Sequence, residues 1–157
     1  MIGIALLVAV TILYAGYNVL IKMSGAHVPD AATTTILATI CLQVAALLTS
    51  TAFLGLLILR GGQVFSLSAG SYVWAVIAGM CIGGAEIGYL YLFGGVGLLK
   101  PMAASVAIPT IVSGTVVMAL LFSVLVLRES IAWNQVLGSL LIILGIVAIF
   151  FRSAAAA

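Results

Sequence analysis

The sequence predicts an all-α membrane protein with five transmembrane helices. Three observations carry that expectation. Of the 157 residues, 66% are hydrophobic and 5% are charged, where a soluble globular domain carries about 25% charge. The mean hydropathy is +1.46, which leaves no surface that faces water all round. The charges are five basic and three acidic side chains, and most of them mark the ends of apolar runs. Composition thus excludes disorder, a coiled coil, a collagen-like chain and an ordinary cytosolic enzyme. A helix needs about 20 apolar residues to cross the ~30 Å hydrocarbon core, so the length allows five spans and short loops.

Lys22, Asp30, Arg60, Lys100, Arg128, Glu129 and Arg152 lie at or near run ends. They place helices over 2–22, 32–59, 71–93, 101–127 and 132–151 of one domain, 1–152, followed by a tail, 153–157. The first run lacks a basic leading region and carries Tyr14, Tyr17, Asn18 and Lys22 in its second half, so it does not read as a cleavable signal peptide. The runs are continuously apolar, which argues against a β-barrel. The link near 60–70 holds Gly61, Gly62, Ser66, Ser68 and Gly70, all turn formers. Gly94, Gly95 and Gly97 form another turn; no Gly-Lys-Ser/Thr follows them, so they are not a phosphate-binding loop. Cys41 and Cys81 fall mid-span and are expected as buried apolar packers. His27 stands alone in a loop, and neither a metal nor a cofactor is expected.

With alternating loops, Arg60 and Arg128 share the side of the N-terminus, and Lys22, Lys100 and Arg152 share the other. A near-balance of basic residues gives weak orientation. It fits a chain that inserts both ways and pairs antiparallel with its own copy about an axis in the membrane plane.

Polar residues inside the spans need a partner or water. In the first helix Thr11, Tyr14, Asn18 and Lys22 recur at helical spacing. In the second, Thr35, Thr39, Gln43 and Ser50 share a face. In the fourth, Ser105, Pro109 and Ser113 align, and Pro109 is expected to kink the helix by freeing the Ser105 carbonyl. These stripes are read as a polar pathway walled by helices one to four, with interhelical hydrogen bonding as the plainer reading. In the fifth helix Gln135 and Ser139 are polar, while Gly138 and Gly145 suit close packing.

The third helix pairs Gly79 with Gly83 and Gly84 with Gly88, a spacing that lets another backbone approach. Within it lies Glu86, the one acid inside a span. A buried carboxylate costs several kcal/mol unless it is paired or protonated. Lys22 is its expected partner if the pair is structural. The other reading is that Glu86 binds a cation, a proton or a substrate amine, with Tyr89 and Tyr14 or Tyr17 offering aromatic faces.

The second half runs Glu86, Tyr89-Leu90-Tyr91-Leu92, Leu99-Lys100-Pro101, Pro109, Leu127-Arg128-Glu129, Gln135, Gly138 and Leu141-Ile142-Ile143-Leu144-Gly145-Ile146. This pattern, with the Asn18 to Lys22 spacing, resembles the EamA-like domain of the drug/metabolite transporter superfamily over about 2–151. The resemblance implies five-helix units paired as inverted copies around a central cavity, carrying small metabolites or toxic compounds across a bacterial or archaeal plasma membrane. The related small multidrug resistance proteins carry an acid in their first span. This chain does not, so Glu86 does not inherit that acid's role. The reading is a secondary transporter, expected as an antiparallel homodimer in the lipid bilayer, with a small-molecule substrate and no nucleic acid partner. Its expected site residues are Glu86, Asn18, Tyr14, Lys22, Tyr89, Gln43, Ser105 and Ser113. The alternative is a membrane subunit that does not transport alone and completes another half-transporter. No ATP-binding motif, zinc-ligand pair or Ser/His/Asp set appears, so an enzyme is not expected.

Overall fold

The computed structural model describes residues 2–29, 31–62 and 66–154, with the side chains of 150–154 undescribed. It is all-α, with α1 (Ile2–His27), α2 (Ala32–Arg60), α3 (Ala69–Gly94), α4 (Ala104–Leu125) and α5 (Trp133–Ala154). The first four are long and apolar enough to cross a membrane, and α5 carries a shorter apolar stretch, Trp133–Ile149. Asp30 and the side chain of Arg152 lie outside the described residues, as does most of the expected tail.

Helix ends follow local chemistry. α1 runs one turn beyond the expected Lys22 to His27. A lysine near a helix end marks the edge of the apolar run, because its stem lets the ammonium reach the interface while the backbone continues. His27 closes the helix with Nδ1 2.7 Å from the Met23 carbonyl oxygen. α2 has 29 residues, about 43 Å at 1.5 Å per residue, so it tilts or extends beyond the core. Ser68 caps α3 by accepting from the Ser71 N–H at 3.2 Å. α3 stops at Gly95, which is left-handed at φ +79°. A side chain there would sit in a disfavoured conformation and meet the Pro101 ring, with a Cβ only 3.0 Å from Cγ. α4 continues through Pro109. In α5, Gln135 reaches back so that its Oε1 accepts from the Ala132 N–H at 2.8 Å. That is half of a capping box.

The chain forms two compact units, Met1–Pro101 and Met102–Ala157. In the first, α3 packs against both α1 and α2; in the second, α4 packs against α5. α1 and α3 run in the same direction, since Tyr17 meets Glu86 and Gly25 meets Phe93 and Gly94. α2 runs the opposite way. Apolar contact with a neighbouring helix gains little over contact with lipid, so packing and polar bonds hold such spans together. The buried set reflects this. Ile21, Leu90 and Phe93 are interleaved with the polar Asn18, Thr35, Thr39 and Glu86. Many large apolar side chains face outward, as spans in lipid do.

The closest approach is at Gly25. A Cβ there would lie 2.8 Å from the Phe93 Cβ and 3.2 Å from its carbonyl carbon. Phe93 is fully buried against it. This clamps the C-terminal ends of α1 and α3 together.

Cys41 and Cys81 are exposed on the chain, which corrects the expectation that they pack inside. Apolar periodicity does not separate a lipid-facing position from a packed one when the whole helix is apolar.

Candidate functional site

The first unit holds a cavity of about 530 Å³. Tyr14 and Tyr17 from α1, Gln43 from α2 and Glu86 from α3 give it its polar groups, and Leu13, Leu42, Ala46 and Ile82 line the rest with Gly79. It lies on the N-terminal side of the Gly25–Phe93 clamp along α1 and α3. The Gly25–Phe93 end of the unit is packed, while the cavity opens to the surface, where Tyr14 is 60% exposed. A volume in this range suits a small molecule.

Glu86 is buried at 5% exposure. Its carboxylate accepts a hydrogen bond from the Tyr17 hydroxyl. Tyr17 thus takes the place that the structural reading gives to Lys22, and Lys22 lies with Nζ 5.1 Å from the centroid of the Phe93 ring, a cation–π distance. In register, Tyr17 faces Glu86, while Lys22 lies more than a turn further along α1. Tyr17 was foreseen only as an aromatic face. The signal for it was present, because Tyr17 follows Tyr14 by three residues on the stripe that points at α3.

The aromatic rings form a continuous series. Tyr14 and Tyr17 meet edge to face with centroids 6.3 Å apart, Tyr17 and Tyr89 do the same at 6.3 Å, and Tyr89 and Phe93 are 5.6 Å apart. Tyr89 therefore joins the site as a second layer behind Tyr17. Gln43 packs its amide on the third helix, where a Cβ at Gly83 would lie 3.0 Å from Nε2. The Gly83 position gives that amide its room. A second cavity of about 510 Å³ lies between α2 and α3, with Gln43 and Gly79 shared.

Asn18 is buried beside Tyr17. Its Nδ2 donates to the Tyr14 carbonyl at 2.8 Å, while its Oδ1 is buried with no hydrogen-bond partner among the described residues. An unsatisfied buried acceptor costs about 1–3 kcal/mol. Replacing Asn18 with Leu removes the acceptor and strands nothing, because the Tyr14 carbonyl remains within the helix. The expected result is a melting temperature that is unchanged or raised in detergent, together with lowered transport. A clear fall in melting temperature would show that Asn18 serves packing alone.

Other stripe members serve their own helices. Thr35 and Thr39 are buried and donate to the carbonyls of Ala31 and Thr35 at 3.1 and 3.0 Å. Thr11 and Ser50 are exposed and bond back to Leu7 and Ala46. On α4, within the second unit, Ser105 is exposed, while Ser113 and Pro109 are half-buried. Glu129 accepts from the Ser123 hydroxyl just beyond α4, so this acid closes a helix end.

A family model described as the EamA-like transporter family matches residues 1–151. None of the curated proteins and none of the solved structures matches the chain.

Proposed function

The chain belongs to the EamA-like transporter family, and from that premise we propose that it is a secondary transporter that exports or exchanges small metabolites or toxic compounds. It is an integral, multi-pass membrane protein. The observation that carries the proposal is the cavity of the first unit, with a buried acid, two tyrosines and a glutamine set into apolar walls. A site that only tied helices together would be packed, as the Gly25–Phe93 end is. Substrate recognition is assigned to Glu86, Tyr14, Tyr17 and Gln43, with Asn18 and Tyr89 supporting them. Gradients of an ion or of the substrate supply the energy, and the membrane is a bacterial or archaeal plasma membrane.

The working form proposed is an antiparallel homodimer. The near-even basic residues support it, and so does the open glycine face of α3, where a Cβ at Gly84 or Gly88 would meet no other described element within 4 Å. The test uses one cysteine at the N-terminus, with Cys41 and Cys81 changed to Ala. Impermeant reagents are expected to label it from both faces of the membrane. Labelling from one face only, in a chain active by itself, contradicts the antiparallel pair. Adding two lysines to one side should force one orientation and lower activity.

The transport reading is tested by screening purified protein for compounds that raise its melting temperature, since a ligand of the folded state stabilises it. Hits should then be carried by vesicles containing only this chain. Flux that appears only with a second, different half-transporter would favour the subunit reading.

A further inference from the structure

We propose that the cavity of the first unit selects a compact organic monocation, an amine with an apolar body, and seats its ammonium group on the Glu86 carboxylate. This rests on the transporter reading and names the substrate class of the same site. Glu86 is the one acidic group among the described residues that line the cavity, and none of these is basic. An anionic ligand would meet the carboxylate with nothing to offset it. A carboxylate offers about four acceptor positions, and one is filled by the Tyr17 hydroxyl. A neutral phenol satisfies a lone pair but brings no charge. A buried carboxylate is relieved either by a proton or by an opposite charge, and an ammonium group supplies the second while filling acceptor positions that Tyr17 leaves open.

The rest of the wall fits the rest of such a molecule. Tyr14 and Tyr17 stand nearly perpendicular, at 81°, and both border the cavity. Aromatic rings beside the acid attract a cation that reaches their faces. Leu13, Leu42 and Ile82 complete a surface that takes an aliphatic or aromatic body. Gln43 adds one neutral polar contact. A sugar or a polyol would leave most of its hydroxyls against leucine and isoleucine.

The experiment is calorimetric titration of the purified full chain with three molecules of similar shape: 2-phenylethylammonium, 2-phenylethanol and phenylacetate. The ammonium is expected to bind saturably, the alcohol at least about 30-fold more weakly, and phenylacetate more weakly still. Glu86→Gln should weaken the ammonium by a similar factor, in line with removing one partner of a buried charge pair. Its effect on the alcohol should be smaller by at least about tenfold, because no charge pair is lost. The comparison on the unmodified chain holds even if a variant folds poorly. The proposal is overturned if the alcohol or phenylacetate binds as well as the ammonium. It is equally overturned if the ammonium shows no saturable binding or if Glu86→Gln binds it undiminished. Flux of phenylacetate through reconstituted vesicles would end the amine assignment and leave the transporter reading standing. Absence of flux for compounds of every charge would end the transporter reading itself.

Discussion

Glu86→Gln is expected to lower transport by about 100-fold or more while the protein folds and melts much as the parent does. The two halves of that result come from different atoms. The glutamine carbonyl oxygen still accepts from the Tyr17 hydroxyl, so the α1–α3 bond survives. The negative charge is lost, and with it the group that the cavity walls do not otherwise supply. If Glu86 were one half of a structural pair with Lys22, the same change would strand a buried ammonium and cost roughly 3–5 kcal/mol. The position of Lys22 over the Phe93 ring removes that expectation. The check is a double measurement, melting temperature and vesicle flux, on Glu86→Gln with and without Lys22→Met. A double variant that transports like the parent contradicts a binding role for Glu86. Glu86→Leu should behave differently, losing transport and also about 1–3 kcal/mol of stability, because it leaves the Tyr17 hydroxyl without its acceptor.

Gly25→Val is expected to be the most destabilising single change in the first unit. Even an alanine Cβ would lie 2.8 Å from the Phe93 Cβ and 3.2 Å from a backbone carbon. Neither atom is the end of a flexible side chain, so the helices must separate. Overpacking of this kind costs about 1–3 kcal/mol for alanine and more for valine. Trimming Phe93 to Ala should not rescue Gly25→Ala, because the clash is with the Cβ and the backbone. Gly16→Ala on the same helix is the matched control. A Cβ there would meet no other element among the described residues within 4 Å, so the change should be neutral or stabilising by up to about 1 kcal/mol. Equal melting temperatures for Gly16→Ala and Gly25→Ala would contradict the clamp.

Much of this architecture was legible in the residues. Apolar run lengths and the placement of Arg60 and Lys100 gave the helices, and the glycines at 95 and 97 gave the turn after α3. Glu86 stood out because an acid inside a span is costly. The stripe through Tyr14, Asn18 and Lys22 pointed at the right face of α1. Its continuation through Ile21 to Gly25 marks the same face and could have been followed to the clamp. What spacing does not provide is height. Helical periodicity tells which residues share a face, and not which residue on a neighbouring helix lies level with them. That is why the sequence offers Lys22 as the partner of Glu86 under a structural reading, where the structure has the Tyr17 hydroxyl. The thiols of Cys41 and Cys81 were misplaced for a second reason, since lipid and a packed interior are both apolar. Gln135 stands out in the sequence only as a polar residue on a helix with almost no polar stripe, and the structure shows it capping α5. Its place three residues after Ala132 was the available signal.

Efflux from reconstituted vesicles shows whether this chain carries substrate through a site built on Glu86. Vesicles containing only the purified chain are loaded with 2-phenylethylammonium and with neutral and anionic small metabolites, and release is followed beside protein-free vesicles and vesicles with folded Glu86→Gln. Release of the ammonium is expected well above the protein-free level in the parent, falling to that level in Glu86→Gln. Equal release from parent and Glu86→Gln, or none above protein-free vesicles for any compound, would contradict it.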